Sequence, residues 1–520
     1  MIWRCKVLCH DSIRSTLAGG GITDVEDTHT HYCEDFRMKF IIKLFSEITI
    51  KSPPVRKRFV KQLRRNIRTV CKPLDEQVTA TGTWDVIHVE TRLTDQQDID
   101  LLVERLCCIS GIHQVLEVAE YPLTDLDDVL DKTVAAWSDV LVDKTFAVRV
   151  HRCGEHEFTS IDVERFLGAG LLERVESAGV KLKNPDVRVE LEIKNDRYFM
   201  VRRRLDGLGG YPMGTQGQVL SLISGGFDST VSSFLTARRG MNVHFCFFNL
   251  GGHAHELAVK EVAYYLWNKY SASHRVRFVA IPFEGVVNEI LTRIDNAWMG
   301  VVLKRMMLRA ATAVAREMDI QALVTGEAVA QVSSQTLHNL AVIDSVTDML
   351  VLRPLIAMDK QDIINIAARI GTEEFARNIP EYCAVISRNP TTCAKPERIV
   401  REETKFDFSV IDAAIRDRRS MSVHDIIADD LCCEQVAVVN ELGNNEIIID
   451  IRHPTEERIK PFKRPGHEVL TIPFYRLATR FPELDCNNHY LLYCEKGVMS
   501  QLHAMHLRDA GYDNVGVYQP

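Results

Sequence analysis

The stretch Val219-Leu220-Ser221-Leu222-Ile223-Ser224-Gly225-Gly226-Phe227-Asp228-Ser229 determines the fold of the central part of the chain. Its apolar half predicts a buried strand, and its polar half predicts a loop that opens a helix. Glycines let a loop backbone approach phosphate closely, and the N-terminus of a helix attracts negative charge. We therefore expect a phosphate-binding loop made of Ser224, Gly225, Gly226, Asp228 and Ser229. It differs from the Walker loop because no Gly-Lys-Ser/Thr follows.

Apolar strands alternate with amphipathic helices from this loop to about residue 390. The further strands are predicted at residues 243–248, 276–281 and 322–325. This alternation is typical of a doubly wound parallel sheet, whose ligands bind at the carboxyl ends of the strands. We assign residues 210–395 to this α/β domain.

Several side chains are candidates for nucleotide chemistry in that domain. Asp228 could hold Mg²⁺ or orient the reacting groups. Thr325-Gly326-Glu327 ends a strand at the carboxyl edge of the predicted sheet, and Gln335 follows. Lys304 and Arg305 lie on a predicted helix and could neutralise phosphate charge. A solvent-exposed helix face explains these two cations equally well.

A second loop, Cys494-Glu495-Lys496-Gly497-Val498-Met499-Ser500, places a thiol between an apolar strand and a helix. Backbone N–H groups and the helix dipole lower the pKa of a thiol in such a position. A cysteine at the end of a strand is more often a small core residue. The complete loop, together with Asp450-Ile451-Arg452 on an earlier strand, favours a reactive thiol. We assign residues 441–520 to a second α/β domain and residues 396–440 to a helical linker.

The N-terminal part of the chain has a different pattern. Residues 1–37 show no sustained apolar period, and we expect a disordered or non-native extension. From residue 38, a strand–helix–strand–helix–strand pattern predicts a small α+β, ferredoxin-like domain, to which we assign residues 38–99. Residues 100–204 continue as a second α+β domain.

One predicted helix in this part carries a one-sided run of cations in an otherwise acidic protein of net charge −8. Its apolar face is formed by Phe59, Leu63, Ile67 and Val70. Such a run is usually a solvated face, but an excess this one-sided favours contact with a phosphate backbone. The candidate contacts are Arg58, Lys61, Arg64, Arg65 and Arg68.

Composition limits the remaining choices. The 14 cysteines are scattered without paired C-x-x-C spacing, which argues against a disulfide scaffold, a zinc ribbon and the usual iron–sulfur pattern, so we expect no metal held by cysteines. Together with the lack of a membrane-spanning stretch, this usage predicts a cytoplasmic protein with no membrane partner.

The motifs together resemble those of the tRNA 4-thiouridine synthetases, or tRNA sulfurtransferases, in the long form that ends in a rhodanese domain. The resemblance covers roughly residues 38–520. It depends on the two loops above and on Cys246-Phe247-Phe248-Asn249-Leu250-Gly251-Gly252, Leu303-Lys304-Arg305-Met306-Met307 and Pro380-Glu381-Tyr382-Cys383. It implies a ferredoxin-like domain, a THUMP RNA-binding domain, a PP-loop ATP pyrophosphatase domain and a rhodanese domain.

The resemblance also implies an activity, in which ATP and Mg²⁺ are used to adenylate uridine 8 of tRNA and persulfide sulfur then replaces its oxygen. The ATP contacts would fall on Leu222, Ile223, Lys304, Gly326 and Gln335. The persulfide would form on Cys494, and Cys383 would resolve it through a disulfide with Cys494. Cys393 is an additional thiol near Cys383 that competes for this role.

The partners implied are tRNA and a cysteine desulfurase as sulfur donor. A second role, sulfur transfer to a carrier protein for thiamine thiazole synthesis, is implied as well, and a homodimer stays open. Two other interpretations of the sequence remain: a PP-loop synthetase that does not thiolate, and a catalytically inactive tRNA-binding protein. Intact phosphate and cysteine loops argue against the inactive protein. A synthetase that does not thiolate would not need the basic helix or Cys494.

Overall fold

A computed structural model describes residues 38–82, 84, 86–250, 252–379, 389–426, 438–443, 446–452, 454–495 and 498–520. The extension predicted at residues 1–37 and the segment carrying Cys383 lie outside this range. The described strands form three sheets. Among the described residues, no helix combines the length and the apolar character needed to cross a membrane.

The first sheet has the strand order β2-β3-β1-β4-β8-β7-β5-β6. Its strands are β1 (Met38–Leu44), β2 (Thr79–Thr81), β3 (Val86–Thr91), β4 (Ile112–Pro122), β5 (Thr145–Cys153), β6 (Gly179–Val180), β7 (Val187–Lys194) and β8 (Arg197–Asp206). Its helices are α1 (Ser46–Thr49), α2 (Pro53–Cys71), α3 (Gln96–Cys107), α4 (Leu126–Leu141) and α5 (Ser160–Arg174). The two predicted α+β domains therefore share one sheet, joined by antiparallel pairing of β4 with β8.

The structure corrects the boundary predicted between residues 99 and 100. That boundary lies inside α3, whose side chains Ile99, Leu102 and Leu106 pack in the same core as Phe40 of β1. In addition, β4 pairs with β1. We therefore propose that the ferredoxin-like domain ends between Pro122 and Leu126.

The second sheet contains the predicted phosphate loop and has the order β13-β12-β9-β10-β11-β14. Its strands are β9 (Gln218–Leu222), β10 (Asn242–Asn249), β11 (Arg277–Pro282), β12 (Ala322–Val324), β13 (Leu350–Leu352) and β14 (Arg419–Ser422). The pairs among β9 to β13 are parallel, as the alternating pattern predicted. The carboxyl ends of these strands therefore meet at one edge.

Helices cover both faces of this sheet. They are α6 (Phe227–Arg238), α7 (Gly252–Leu266), α8 (Glu284–Arg293), α9 (Met299–Glu317), α10 (Leu337–Asp344), α11 (Lys360–Ile370), α12 (Glu373–Asn378), α13 (Pro396–Glu403) and α14 (Ser409–Arg416). A π-helical turn, Trp267–Ser271, follows α7, and a 3₁₀ turn, Ser333–Gln335, precedes α10.

The linker predicted at residues 396–440 is corrected by these helices. Ile399 of α13 and Ile411 of α14 are buried in the same core as α9 and β9. The strand β14 then pairs antiparallel with β11 and extends the sheet by one edge strand. Residues 396–422 are thus an integral part of the α/β domain, because their apolar face is needed to complete its core.

The third sheet has the order β15-β19-β18-β16-β17 and is parallel in all its pairs. Its strands are β15 (Val438–Val439), β16 (Glu446–Asp450), β17 (Val469–Thr471), β18 (His489–Tyr493) and β19 (Val515–Tyr518). Its helices are α15 (Pro454–Ile459), α16 (Phe474–Arg480) and α17 (Val498–Asp509), with a 3₁₀ turn at Phe481–Glu483. The predicted combination of α+β and α/β domains is confirmed.

The role of residues 396–422 can be tested with two neighbouring side chains of α13. Ile399 is 0% exposed and Val400 is 57% exposed. Replacing Ile399 with alanine is expected to lower the free energy of unfolding by ~2–5 kcal/mol, because a cavity is left in the core. Val400→Ala should change it little. Urea denaturation of both variants measures the difference, and equal stabilities would show that the segment is a linker after all.

Candidate functional site

The phosphate loop is held in shape by the side chain of Ser229. The backbone N–H of Ser224 donates to Ser229 Oγ at 3.1 Å, and that hydroxyl donates to the carbonyl oxygen of Gly226 at 3.2 Å. Gly226 is the N-cap residue of α6, and no side chain caps this end of the helix. The first N–H groups of α6 therefore lack a side-chain cap and favour an anion.

Gly326, which follows β12, packs directly against this first helical turn. A Cβ atom at Gly326 would lie 2.6 Å from the backbone carbon of Asp228 and 2.8 Å from the backbone nitrogen of Ser229. Such contacts are too short for any larger residue. Two loops that are about a hundred residues apart in sequence are thus brought together by the absence of one side chain.

Asp228 is held by two side chains from later in the chain. Lys360 Nζ lies 2.7 Å from Asp228 Oδ1, and Gln331 Nε2 donates to Oδ2 at 2.7 Å. Because both oxygens already have partners, Asp228 is a weak candidate for sole ligand of Mg²⁺. One carboxylate is nevertheless enough where substrate phosphates supply the other oxygens. Asp228 fits that shared arrangement.

Lys304 lies beside the same strand end. Its Nζ is 3.3 Å from Glu327 Oε1, and Arg353 Nε is 2.9 Å from Oε2 of the same carboxylate. Burial alone would raise the pKa of Glu327, but the two cations outweigh burial and lower it. Glu327 thus stays ionised and holds Lys304 next to Gly326.

Arg305 does not belong to this site, and it is not on a solvent-exposed face either, so neither of the two interpretations left open for it is correct. Its guanidinium is buried and contacts both oxygens of Glu403, Nε to Oε1 at 2.6 Å and NH2 to Oε2 at 3.0 Å. It also donates to the carbonyl oxygen of Val342. Arg305 therefore fastens α13 and α10 to α9.

The other predicted nucleotide contacts surround the loop. Leu222 ends β9, and the N–H of Ile223 donates to the carbonyl oxygen of Cys246 on the neighbouring strand at 2.9 Å. Gln335 is buried in the 3₁₀ turn before α10, and its Oε1 has no hydrogen-bond partner among the described residues. A buried amide oxygen without a partner is costly, so Gln335 is suited to receive a donor from a ligand.

Two further residues near the loop escaped the sequence prediction. Lys360 contacts Asp228 although 132 positions separate them, and no local pattern signals such a pair. His255, on α7, forms a hydrogen bond with the backbone of Ser224, and burial lowers its pKa. The sequence offered only one indication of a role for His255, the two closely spaced histidines after Gly252.

Cys494 follows β18 and faces the first turn of α17. Its sulfur accepts a hydrogen bond from the backbone N–H of Ser500 at 3.4 Å and lies 3.5 Å from the Ser500 hydroxyl oxygen. Behind it, Arg452 binds Asp450 through Nε to Oδ1 at 2.9 Å and NH2 to Oδ2 at 2.6 Å. Donors from a helix N-terminus suit an anionic sulfur.

Cys383 lies outside the described residues, but the ends of its segment are described. A Cβ atom at Gly225 of the phosphate loop would lie 2.5 Å from Ile379 Cδ1. At the other end, Asn339 Nδ2 donates to the carbonyl oxygens of Thr391 at 2.8 Å and of Ser333 at 2.7 Å. The described residues on either side of the segment therefore lie beside the phosphate loop and beside the turn that carries Gln335.

The rival thiol Cys393 is an exposed free cysteine two positions after Thr391. Its backbone N–H donates to Thr391 Oγ1 at 3.3 Å. The geometry therefore leaves Cys393 a competitor of Cys383.

The basic helix is α2, and its apolar face is buried as predicted at Phe59, Leu63 and Ile67. Arg58, Lys61, Arg65 and Arg68 are exposed, whereas Arg64 is half-buried. Arg64 donates from Nε to the carbonyl oxygen of Ala80 at 3.0 Å and from NH1 to that of Gly82 at 3.1 Å. Arg64 thus fastens β2 to α2, and we remove it from the predicted RNA contacts.

Family models match each of the four regions. They describe a ThiI ferredoxin-like domain (residues 39–115), a THUMP domain (residues 124–201), a thiamine biosynthesis protein, ThiI (residues 214–408), and a rhodanese-like domain (residues 435–519). The predicted domain composition is therefore confirmed.

Relatives match nearly the whole chain. The tRNA sulfurtransferase of Azotobacter vinelandii is 56% identical over 486 residues, which are 93% of this chain and 100% of that protein. That of Shigella dysenteriae is 53% identical over 484 residues, again 93% and 100%. A crystal structure of a 4-thiouridine synthetase–RNA complex with bound ATP aligns with a TM-score of 0.65 at 26% identity, covering 74% of this chain and 99% of that one.

Charge removal on α2 tests the predicted RNA surface. The double variant Arg65→Gln/Arg68→Gln is expected to bind tRNA more weakly and to lower the salt slope of binding by about one for each phosphate that the helix no longer neutralises. Arg64→Gln should instead lower the melting temperature, because two hydrogen bonds to the backbone of β2 and its following turn are removed. Arg480→Gln, an exposed arginine of the third sheet's domain, serves as the charge control. An unchanged slope in the double variant would reduce α2 to a solvated face.

Proposed function

Because this chain belongs to the tRNA sulfurtransferase family, we propose that it is the ATP-dependent enzyme that converts a tRNA uridine, expected at position 8, to 4-thiouridine. The observation that carries the proposal is the meeting of the uncapped N-terminus of α6 with Gly326, Lys304 and Lys360 at one sheet edge. Such a set of donors and cations suits a triphosphate.

ATP would bind at this edge. Its phosphates would lie on the loop of Ser224, Gly225, Gly226 and Ser229. Lys304 would stand at the same edge beside Gly326, and Leu222 and Ile223 would line the nucleoside side. The unpaired Oε1 of Gln335 would accept a hydrogen bond from the nucleotide. Mg²⁺, shared between the phosphates and Asp228, would neutralise charge on the departing pyrophosphate.

Adenylation activates a poor leaving group. The uridine O4 attacks the α-phosphorus, pyrophosphate departs, and the oxygen is then bound as an adenylate. Lys360, which is held by Asp228, is a cation that can stabilise the negative charge developing on the phosphates. Asp228 thus positions Lys360 as well as contributing its own charge.

Sulfur would then replace the activated oxygen. Cys494 carries a persulfide, whose terminal sulfur attacks C4 and displaces AMP. The Cys383 thiolate attacks the Cys494 sulfur, which leaves thiouridine and a Cys383–Cys494 disulfide that cellular thiols reduce. Alternatively Cys383 attacks first and releases sulfide, which displaces AMP. Either order balances atoms and electrons and ends in the same disulfide.

Geometry supports Cys383 for this role. It is four positions after Ile379, which packs on the phosphate loop, and four positions span at most ~14 Å. The domain that carries Cys494 also contacts α12, the helix that precedes this segment, through Phe474 and Phe375 with ring centroids 5.1 Å apart.

The remaining expectations stay part of this proposal. The sulfur donor is a cysteine desulfurase, the compartment is the cytoplasm, and tRNA is bound through the two N-terminal domains. Transfer of sulfur to a carrier protein for thiamine thiazole synthesis is a second role, supported by the description of the family model that matches residues 214–408. A homodimer stays open.

The activation step is tested at the Asp228–Lys360 pair. We expect Asp228→Ala and Lys360→Ala each to lower pyrophosphate release from ATP in the presence of tRNA by about 10²–10³-fold, the usual effect of losing one charge-stabilising group. Asp362→Asn, two residues further along α11 and exposed, should release pyrophosphate normally. Normal release by Lys360→Ala would exclude it from the mechanism.

The sulfur step is tested by peptide mapping after a single turnover without reductant. The expected product is a Cys383–Cys494 disulfide, and Cys494→Ala should form no thiouridine. Cys486→Ser, which removes an exposed thiol of the same domain, should behave as wild type. A Cys393–Cys494 bridge, or full activity of Cys494→Ala, would overturn this assignment.

A further inference from the structure

The rhodanese-like domain is docked against the other two folded parts of the chain. On the α/β domain, Arg476 NH2 lies 2.9 Å from Glu374 Oε1, and His503 Nε2 lies 3.1 Å from Glu261 Oε1. On the ferredoxin-like domain, Lys460 Nζ lies 3.2 Å from Asp98 Oδ1. These contacts come from Lys460, just after α15, and from α16 and α17, and Cys494 lies on the same side of the domain.

A cavity of about 80 Å³ lies where the ferredoxin-like, α/β and rhodanese-like domains meet, and Cys494 lines it. Glu261, Tyr264 and Tyr265 line it from α7, and Arg105 lines it from α3. Cys494 itself is only 7% exposed. One water molecule occupies ~30 Å³. The cavity therefore has room for one more sulfur atom and a water, but not for a protein loop.

The charges around the cavity suit a small anion. Arg105 donates from NH1 to the carbonyl oxygen of Asn268 at 2.9 Å, and this bond fixes its guanidinium at the cavity wall. Burial raises the pKa of Glu261 to about 8, which favours the protonated, uncharged carboxyl at neutral pH. Burial also raises the pKa of Glu456. These two acids therefore repel an anion less, and the remaining charged side chains of the lining are Arg452 and Glu495.

We propose that docking of the rhodanese-like domain builds a closed chamber in which Arg105 and Glu261, from two other domains, hold the terminal sulfur of the Cys494 persulfide. This inference rests on the proposed function of Cys494. The cavity beside Cys494 is lined by Arg105 from α3 and Glu261 from α7, and the Ser500 N–H donates to the Cys494 sulfur itself. The chamber shields the sulfur from solvent thiols between loading and delivery.

The chamber also separates two events in time. A protein that donates sulfur must bring its own cysteine into contact with Cys494, which is only 7% exposed in the docked arrangement. Loading therefore requires undocking, whereas retention requires docking.

Two variants on the outer contacts test the chamber in the full-length protein. The double variant Arg476→Glu/Lys460→Glu reverses two exposed charges that pair with Glu374 and Asp98. Iodoacetamide should alkylate its Cys494 about tenfold faster than in wild type, because opposed charges weaken docking. Arg480→Glu, an exposed arginine of α16 that pairs with Glu483 in its own domain, is the matched control and should alkylate at the wild-type rate.

A second measurement follows the sulfur. Inorganic polysulfide transfers one sulfane sulfur to the Cys494 thiolate and leaves as a shorter polysulfide, and cyanide then removes that sulfur as thiocyanate. Wild type and Arg480→Glu should release thiocyanate about tenfold more slowly than the double variant, whose chamber is open. Arg105→Gln should also release it faster than wild type, because the cation that holds the terminal sulfur is removed.

Each result decides a different point. Equal alkylation in wild type and the double variant would overturn the closed chamber. Wild type could be alkylated more slowly than the double variant and yet release thiocyanate at the same rate. That result would show that the chamber does not hold sulfur, while the role of Cys494 as a carrier would stand. If no variant takes up sulfane sulfur, both this inference and the proposed function of Cys494 fail. Restoration of slow alkylation by adding Glu374→Arg to Arg476→Glu would confirm the docking contact.

Discussion

The active part of this protein depends on one steric constraint, the contact between Gly326 and the first turn of α6. A Cβ atom there would stand 2.6 Å from the Asp228 backbone. The two loops touch there, and Lys304 pairs with Glu327, the residue after Gly326, while Asp228 pairs with Lys360. A larger residue at Gly326 would push the end of β12, and Lys304 with it, away from the first turn of α6. Backbone proximity therefore sets the geometry of this part of the site.

Local sequence patterns predicted what depends on local chemistry. Periodicity located the parallel strands, and the two glycines of the phosphate loop and the Cys494 loop marked the two centres. Patterns failed where distant segments meet. Lys360 was missed because its partner is 132 positions away. The partners of Arg64 and Arg305 were missed for a related reason. Sequence alone places a cation in solvent, because the carbonyl or carboxylate that binds it belongs to another segment of the chain.

Domain limits were the least predictable feature, and the reason is physical. The ferredoxin-like and THUMP domains share one sheet through β4 and β8, so no break in the apolar pattern separates them. Likewise the polar appearance of residues 396–422 hides Ile399 and Ile411, which complete the core of the preceding domain. A composition rich in charge indicates an exposed surface but does not reveal what its few apolar residues cover.

Because β14 ends at Ser422 and the described chain resumes at β15, the tether of the rhodanese-like domain is short. Only residues 427–437 lie between the described parts, and a chain of that length spans at most ~40 Å. On the proposed mechanism, a carrier on so short a tether would meet the phosphate loop at an effective concentration that is typically millimolar. Sulfur delivery would then be independent of how much of this protein the cell contains, whereas sulfur loading by a separate donor would still vary with concentration.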